Sequence, residues 1–402
     1  MFQGTGNHVD ISRWRTYISN RGEKMKAEWF RSVVTFVAAL SLGILLGCGG
    51  GRDVKIAVAG PLTGPEAPQG KAVLNGVTLS VAHWNKAGGI LGKKIVLIQK
   101  NDEDDPAKAA AVAKELVKAR PLVVVGHVDS GCSLRAAPIY QRNKIVMISP
   151  TSTSPKLTES GWNHVFRVCG RDDLQGRAAA VWIVKHGQGN RVAVVHDGSE
   201  YAKGLSDEFK SNYEFLSSNK VVADVAVQRG DLNMDPVALQ LKAANPDLVY
   251  FGGLADQGGA LLKAMRKESM SATFMAGDGC FEPEFLEAAG PGPANGAMVT
   301  FMPDFSSLPG TGIRAFMNEY REKFGKTPGP TAIYGYEAAN IALAAASKAP
   351  TPLNDRTLMD TLHQLTFKTG FGLIRFDDRG DPTEIPYVVW RVMDGRFEEI
   401  GN

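Results

Sequence analysis

The stretch VMISPTSTSPKLT, residues 146–158, joins an apolar strand to a dense group of hydroxyls. Val146, Met147 and Ile148 have the character of a buried strand. Five hydroxyl-bearing residues surround the proline that follows, namely Ser149, Thr151, Ser152, Thr153 and Ser154. A turn uses one or two such residues, so the stretch indicates donors gathered for a ligand. Helix capping and turn formation are the alternative interpretation.

Strand and helix patterns alternate on both sides of this stretch. Strands such as VKIAVAG (54–60) and LVYFGG (248–253) are nearly continuous apolar runs, which is typical of sheets covered by helices on both faces. The alternation restarts after residue 164, and a chain of 402 residues exceeds what one core usually serves. We therefore predict an α/β protein with two doubly wound, mostly parallel halves.

Charge separates the N-terminus from the rest of the chain. Residues 1–47 hold six Lys or Arg against three acids, and the remainder is balanced. A neutral body argues against a nucleic-acid partner, which requires a basic surface. The apolar run 33–47 is too short to cross roughly 30 Å of hydrocarbon but suits the core of a signal peptide.

The apolar run ends at Leu45-Leu46-Gly47-Cys48, which resembles a bacterial lipobox. We predict a signal peptide over 1–47, for which Met25 would be a more typical start. Cys48 is the predicted lipidation site and 48–52 a tether. An uncleaved anchor or an ordinary signal peptide is the alternative.

Three further cysteines, Cys132, Cys169 and Cys280, cannot all pair within the chain. We expect buried free thiols, with a Cys132–Cys280 bridge as the alternative. No Cys/His pair has zinc-finger spacing, so no metal site is predicted.

Catalytic and cofactor motifs are missing from the strand-end loops. The sequence holds no phosphate-binding loop, no dinucleotide fingerprint after a strand and no nucleophile elbow. The acids at 102–105 precede Pro106 and indicate a helix N-terminus, and His127 and His196 are expected to be structural. We therefore predict neither an enzyme nor a cofactor.

What remains is a set of donors in one half and an isolated acid in the other. The donors follow two strands and are Ser130, Gly131, Thr151, Ser152 and Thr153. Helices are expected to begin near Ser133 and Ser154, which adds partial positive charge suited to a carboxylate. Asp278 lies between glycines in the other half and could meet an ammonium group, or it could be a turn aspartate. The pattern favours a zwitterionic ligand.

Several strings along the chain carry a family resemblance. They include NGVTLSVAHWNKAGGILGKKI, DEDDPAKAAAVAKELV, GHVDSGCSLRAAPIY, MISPTSTSPKLT, FRVCGRDDLQG, HDGSEYAKGL and IRFDDRGD. From about Val54 onward, the chain resembles the branched-chain amino-acid (leucine/isoleucine/valine) binding proteins of ABC importers, which are type I periplasmic binding proteins.

The resemblance assigns roles to individual residues. It places carboxylate binding on Ser130, and contacts to both the carboxylate and the ammonium group on the loop of Thr151, Ser152 and Thr153. It also places a second-lobe aromatic on Tyr201 and ammonium binding on Asp278. Two aromatics of the leucine-type proteins are replaced by Gln69 and Leu254, which leaves the side-chain specificity open. The two cysteines of the family's small disulfide correspond to Asp104 and Asp129.

The resemblance also implies an architecture and partners. Lobe I is expected at 53–170 plus 303–382 and lobe II at 171–302 plus 383–402, joined by a three-strand hinge. The implied protein is a monomeric, lipid-anchored, extracytoplasmic subunit that delivers a branched-chain or other neutral amino acid to ABC permease and ATPase subunits. Alternatives are an amide, urea or aromatic-acid ligand, and a ligand sensor for a receptor.

Overall fold

The fold is that of a computed structural model, which describes residues 53–304 and 312–401. The predicted signal peptide, the lipidation site Cys48 and the tether lie outside the described residues. No helix within the described residues has the length and apolar character needed to cross a membrane.

The first sheet has five parallel strands in the order β2-β1-β3-β4-β5. The apolar runs form its interior strands, in which β3 and β4 are buried along their whole length. The strands are β1 (Val54–Gly60), β2 (Ile95–Asn101), β3 (Val123–Val125), β4 (Val146–Ser149) and β5 (Val165–Arg167). The prediction of a parallel sheet from continuous Val and Ile runs is confirmed.

The second sheet has seven strands in the order β14-β13-β10-β9-β8-β6-β7. Five neighbouring strands are parallel, and β13 and β14 are added antiparallel at one edge. The strands are β6 (Val192–His196), β7 (Ala223–Ala226), β8 (Leu248–Gly252), β9 (Thr273–Ala276), β10 (Met298–Phe301), β13 (Val388–Met393) and β14 (Arg396–Gly401). A separate hairpin consists of β11 (Phe367–Thr369) and β12 (Gly372–Ile374).

Helices cover the sheets. Those associated with the first sheet are α1 (Ala67–Lys86), α2 (Pro106–Ala119), α3 (Ser130–Arg142), α4 (Lys156–Glu159), α11 (Ile313–Phe324), α12 (Pro330–Lys348) and α13 (Asp355–Gln364). Those associated with the second sheet are α5 (Asp172–Lys185), α6 (Glu200–Ser217), α7 (Asp235–Ala244), α8 (Ala255–Lys267), α9 (Pro283–Ala289) and α10 (Pro291–Ala294). Below, "lobe" means the elements gathered around one sheet; the residue boundaries predicted for the lobes stay a prediction.

Of the two predicted helix starts, the one near Ser133 is wrong and the one near Ser154 is confirmed. Helix α3 begins at Ser130 instead of near Ser133, because the Asp129 carboxylate caps it by accepting from the Cys132 amide at 3.1 Å. The segment after Ser154 forms only the short helix α4, which begins at Lys156. Residues 130 and 131 therefore belong to the first turn of a helix of 13 residues.

Helices α1 and α12 of the first lobe pack with their backbones in close contact. An added Cβ at Gly76 would lie 2.1 Å from the Ala332 carbonyl oxygen, and one at Gly335 would lie 2.5 Å from that of Val73. Only glycine permits this approach, so the two helices are held against each other as one unit.

A buried arginine network lies where the chain leaves the first sheet. Arg167, at the end of β5, is fully buried. It donates to Asp381 Oδ1 at 2.6 Å, to the Ser152 carbonyl at 2.7 Å and to Thr158 Oγ1 at 2.7 Å. Arg171 donates to the other Asp381 oxygen at 2.9 Å. The network ties the β4 loop to the segment that leads into the second sheet.

The three cysteines of the described residues are buried free thiols, as predicted from their odd number. Cys132, Cys169 and Cys280 are all buried, and all are free. Burial raises the pKa of each thiol, so these are protonated side chains within the core.

Candidate functional site

A cleft of about 650 Å³, including the part open to solvent, lies between the two lobes. Much of its wall comes from loops and helix starts after the carboxyl ends of parallel strands, which is where open α/β sheets bind ligands, and the start of α12 completes it. The first lobe contributes Pro61, Glu66, Gln69, Asp104, Val128, Asp129, Ser130, Thr151, Cys169, Pro330, Thr331 and Tyr334. The second lobe contributes Tyr201, Arg229, Leu254, Asp278, Gly279, Glu282 and Phe301.

Six of the residues predicted from the sequence line this cleft, namely Gln69, Ser130, Thr151, Tyr201, Leu254 and Asp278. The other three, Gly131, Ser152 and Thr153, lie behind or beside its wall. The Ser152 hydroxyl bonds with Ser133 Oγ at 2.6 Å and faces the His127 carbonyl, so it serves the loop itself. The Thr153 hydroxyl is buried and has no well-aligned hydrogen-bond partner among the described residues, although it lies near the Asp172 carboxyl.

The hydroxyl side of the cleft is built by β3, β4 and the start of α3. The Thr151 hydroxyl donates to the Val128 carbonyl at 2.8 Å, which fixes its side chain against the neighbouring strand end. Ser130 Oγ accepts from the Ser154 amide at 3.3 Å. Ser130 is the first residue of α3, so the helix dipole adds positive potential at this wall. The arrangement suits an anionic ligand group.

The acid side is built by α6 and the turn after β9. The Tyr201 hydroxyl donates to Asp278 Oδ1 at 2.7 Å and accepts from the Gly279 amide at 2.9 Å. Burial raises the pKa of Asp278, while the hydrogen bonds from Tyr201 and the backbone lower it. Tyr201 thus orients the carboxylate and partly compensates its desolvation.

The residues on either side of Asp278 are glycines because close packing leaves no room for a side chain there. An added Cβ at Gly277 would lie 2.2 Å from Leu205 Cδ2, and one at Gly279 would lie 2.6 Å from the Gly253 carbonyl oxygen. The turn therefore sits directly on α6 and the β8 loop, which holds Asp278 at a fixed position.

A second acid, missed in the sequence, lies behind Asp278. Asp172, the first residue of α5, is fully buried, and neither of its oxygens has a well-aligned hydrogen-bond partner among the described residues. Burial, and then the charge of Asp278, raise the pKa of Asp172 well above its usual value, while the nearby Thr153 hydroxyl lowers it. FRVCGRDDLQG contains this acid, but an acid in a first helical turn ordinarily indicates only a dipole interaction.

Replacing Asp172 by asparagine is expected to stabilise the ligand-free protein by about 1–3 kcal/mol at pH 7, because a buried unpaired carboxyl is removed. The raised folded-state pKa means that the wild-type carboxyl favours folding at low pH and loses that contribution as the pH rises through the folded pKa. The gain should therefore shrink towards pH 4. Urea unfolding at both pH values measures it, with Asp360→Asn at an exposed position of α13 as control. A variant less stable than wild type at pH 7 would show that the Asp172 charge is paired in solution.

Charged residues missed in the sequence also line the rim. Arg229 of the second lobe contacts Asp104 and Asp129 of the first. Asp104, Asp129 and Cys132 bring one potential metal-ligating atom each within 4.8 Å of one another. The arginine already pairs with both carboxylates, and burial keeps the thiol protonated, so the chemistry is that of an ion-pair cluster. From the sequence, Asp104 and Asp129 stand out only as the positions where the resemblance places a disulfide.

A cleft between one parallel and one mostly parallel sheet, with a helix-terminal hydroxyl on one wall and an oriented acid on the other, defines a two-lobed solute-binding protein. The chain belongs to the periplasmic binding protein family, whose model matches residues 53–396. Members of this family bind solutes outside the cytoplasm and are not enzymes.

Individual relatives are similar along nearly their whole length. The Leu/Ile/Val-binding protein homolog 1 of Brucella melitensis is 32% identical over 372 residues, which is 91% of this chain and 99% of the relative. The leucine-binding protein LivK of Thermotoga maritima has a crystal structure with a TM-score of 0.79 and 29% identity, covering 86% of this chain and 97% of that one. An ABC transporter substrate-binding protein of Desulfitobacterium hafniense, solved in complex with Leu, has a TM-score of 0.71 and 27% identity, covering 87% and 100%.

Proposed function

We propose that this protein is the solute-binding subunit of an ABC importer and captures a branched-chain or other neutral amino acid between its two lobes. One observation carries the proposal: the cleft sets Ser130 and Thr151, at a helix N-terminus and a strand end, on the wall opposite the Tyr201–Asp278 pair. Such a cleft meets the negative end of a zwitterion with the Ser130 hydroxyl and the positive potential of a helix N-terminus, and its positive end with a carboxylate.

The relatives support an amino-acid ligand. The Brucella melitensis relative is named for leucine, isoleucine and valine, and the Desulfitobacterium hafniense structure holds Leu. Gln69 and Leu254 line the cleft here at positions where the resemblance places aromatics. They shape the space around the ligand side chain and therefore influence which amino acid binds best.

Ligand capture requires contacts that differ between the open and closed lobes. Tyr201 and Asp278 belong to the second lobe, whereas Ser130 and Thr151 belong to the first. A ligand that touches both pairs favours closure, and the closed form is what a permease would recognise. We propose that the protein acts as a monomer and that Cys48 anchors it by a lipid at the outer face of a bacterial membrane. The cleft is proposed to be non-catalytic.

A thermal-shift screen of the chain from Gly49 tests the ligand class. The panel contains L-amino acids, aliphatic amides, urea and aromatic acids. A ligand present at a hundred times its Kd should stabilise the protein by roughly 2.7 kcal/mol. Stabilisation by leucine, isoleucine, valine or another neutral amino acid is the expected result. Stabilisation only by amides, urea or aromatic acids would overturn the amino-acid assignment.

Replacing Ser130 by alanine should weaken binding of the best amino acid by about 1–3 kcal/mol, because a charge-assisted hydrogen bond to the ligand carboxylate is lost. Isothermal calorimetry measures the change. Ser160→Ala is the matched control, since Ser160 is exposed and does not line the cleft. Equal affinities for the Ser130 variant and the control would remove Ser130 from the binding site.

A further inference from the structure

Arg229 connects the two lobes at the rim of the cleft. It follows β7 in the second lobe, and its Nη2 lies 2.5 Å from Asp104 Oδ2 and 3.3 Å from Asp129 Oδ2. Those two acids follow β2 and β3 of the first lobe. The contact therefore forms across the cleft and depends on the distance between the lobes.

Arg229 is directed across the cleft by its own lobe. Its Nε lies 3.8 Å from Asp197 Oδ2, and the Asp197 side chain, which follows β6, is only 1% exposed. Asp197 and Arg229 both belong to the second lobe, so this interaction does not require closure. It keeps the guanidinium at the rim, where the carboxylates of the first lobe meet it.

Acidic side chains outnumber basic ones around Arg229. Glu66 and Asp256 add their negative charges to those of Asp104, Asp129 and Asp197. Burial, together with the neighbouring acids, raises the pKa of Asp104 to about 8 and that of Glu66 to about 7, although Arg229 lowers both. Bringing these carboxylates together without the arginine would place like charges in a partly desolvated space.

Another cross-lobe ion pair is much more exposed. The Lys156 ammonium contacts Glu200 Oε1 at 2.7 Å, but the lysine side chain is 69% exposed. Exposed pairs of this kind contribute little. The Arg229 side chain is 30% exposed and meets acids that are only 11% and 8% exposed, so its interactions are less screened by solvent.

We propose that Arg229 is a positioning residue for ligand capture, and that its ion pairs with Asp104 and Asp129 form when the lobes close and set how tightly the ligand is held. Asp104 and Asp129 stand where the resemblance places a disulfide within one lobe. This chain has a contact between lobes at that place instead. The inference rests on the proposed function, because only a closing binding protein would convert the contact into affinity.

Arg229→Gln is expected to weaken L-leucine binding roughly tenfold, mainly through faster dissociation, because the variant loses the cross-lobe pairs and leaves their acids facing one another. Calorimetry and stopped-flow fluorescence measure the two quantities. Arg191→Gln is the matched control: its guanidinium donates to the Asn245 and Ala244 carbonyls within the second lobe, and Arg191 does not line the cleft. The control should bind like wild type.

Two readouts separate this role from general loss of structure. The raised pKa values mean that Glu66 and Asp104 are protonated in the closed cleft at low pH and become charged as the pH rises through about 7 and about 8, respectively. The defect of Arg229→Gln should therefore shrink at about pH 5.5. Arg229→Lys keeps the charge and should recover part of the affinity, which also provides the test if the glutamine variant does not fold.

The double variant Asp104→Asn/Arg229→Gln gives a further check, since partners in one interaction should have non-additive effects. Binding of L-leucine by Arg229→Gln within about twofold of wild type at about pH 8.5, above the raised pKa of Asp104, would overturn the inference. If wild type bound neither L-leucine nor any other amino acid of the panel, the proposed function would fail instead. In that case the Arg229 variants would be tested with whichever amide, urea or aromatic acid stabilises wild type.

Discussion

Replacing Arg167 by methionine is expected to lower the free energy of unfolding by about 3–5 kcal/mol. The guanidinium is fully buried and bonds Asp381, the Ser152 carbonyl and Thr158. Methionine fills much of the same volume but leaves the Asp381 carboxylate, itself 4% exposed, with one cation fewer. Uncompensated buried charge is the main cost. Urea unfolding followed by circular dichroism measures the loss.

Two variants show whether the effect arises from the buried charge. Arg177→Met removes an exposed arginine of α5 and should change stability by less than about 0.5 kcal/mol. Arg167→Met combined with Asp381→Leu removes both charges and should recover a large part of the loss, because a buried pair can often be replaced by apolar side chains. If the double variant were less stable than the single one, the charge explanation would be refuted.

The second large effect concerns Asp278. Asp278→Ala is expected to weaken binding of the best amino acid at least tenfold, which corresponds to about 1.4 kcal/mol or more. The carboxylate is oriented by Tyr201 at 2.7 Å and is the charged partner proposed for the ligand ammonium. Calorimetry of the purified variant against the ligand found in the screen gives the Kd directly.

Asp278→Asn and Tyr201→Phe refine this test. The asparagine keeps the shape and one acceptor but removes the charge, so it should resemble alanine if charge dominates. Tyr201→Phe removes the hydroxyl that orients the acid and should have a smaller effect of about 1 kcal/mol. Unchanged affinity of the Asp278→Ala variant would place the ligand ammonium elsewhere and remove the basis for the zwitterion assignment.

Much of the fold could be predicted because the sequence patterns that indicate its strands are short and local. Val123–Val125 and Val146–Ser149 are short apolar runs between turn residues, and such runs are strands of parallel sheets. Once the strands are known, their carboxyl ends indicate the loops that meet at the ligand site. This is why Ser130, Thr151 and Asp278, distant in sequence, were predicted together and line one cleft.

Other features could not be predicted because they depend on side-chain orientation and on contacts between lobes. Ser152 belongs to the same loop as Thr151, yet its hydroxyl bonds with Ser133 in the protein interior. Arg229 has no local pattern that distinguishes it from a surface arginine; only the folded chain brings it to Asp104 and Asp129. Asp172 likewise reads as an ordinary helix-start acid until its burial is known.

The glycine-mediated contact between α1 and α12 affects how a partner could distinguish the ligand-bound protein from the ligand-free protein. Both helices begin at the cleft, where Gln69 and Thr331 line its wall, and their backbones touch at Gly76 and Gly335. A pair locked in this way has little freedom to deform separately, so closure of the cleft would move the two helices as one unit. A membrane partner would then detect a bound ligand as a change in the angle between the outer surfaces of two rigid lobes. No segment of the protein would have to refold.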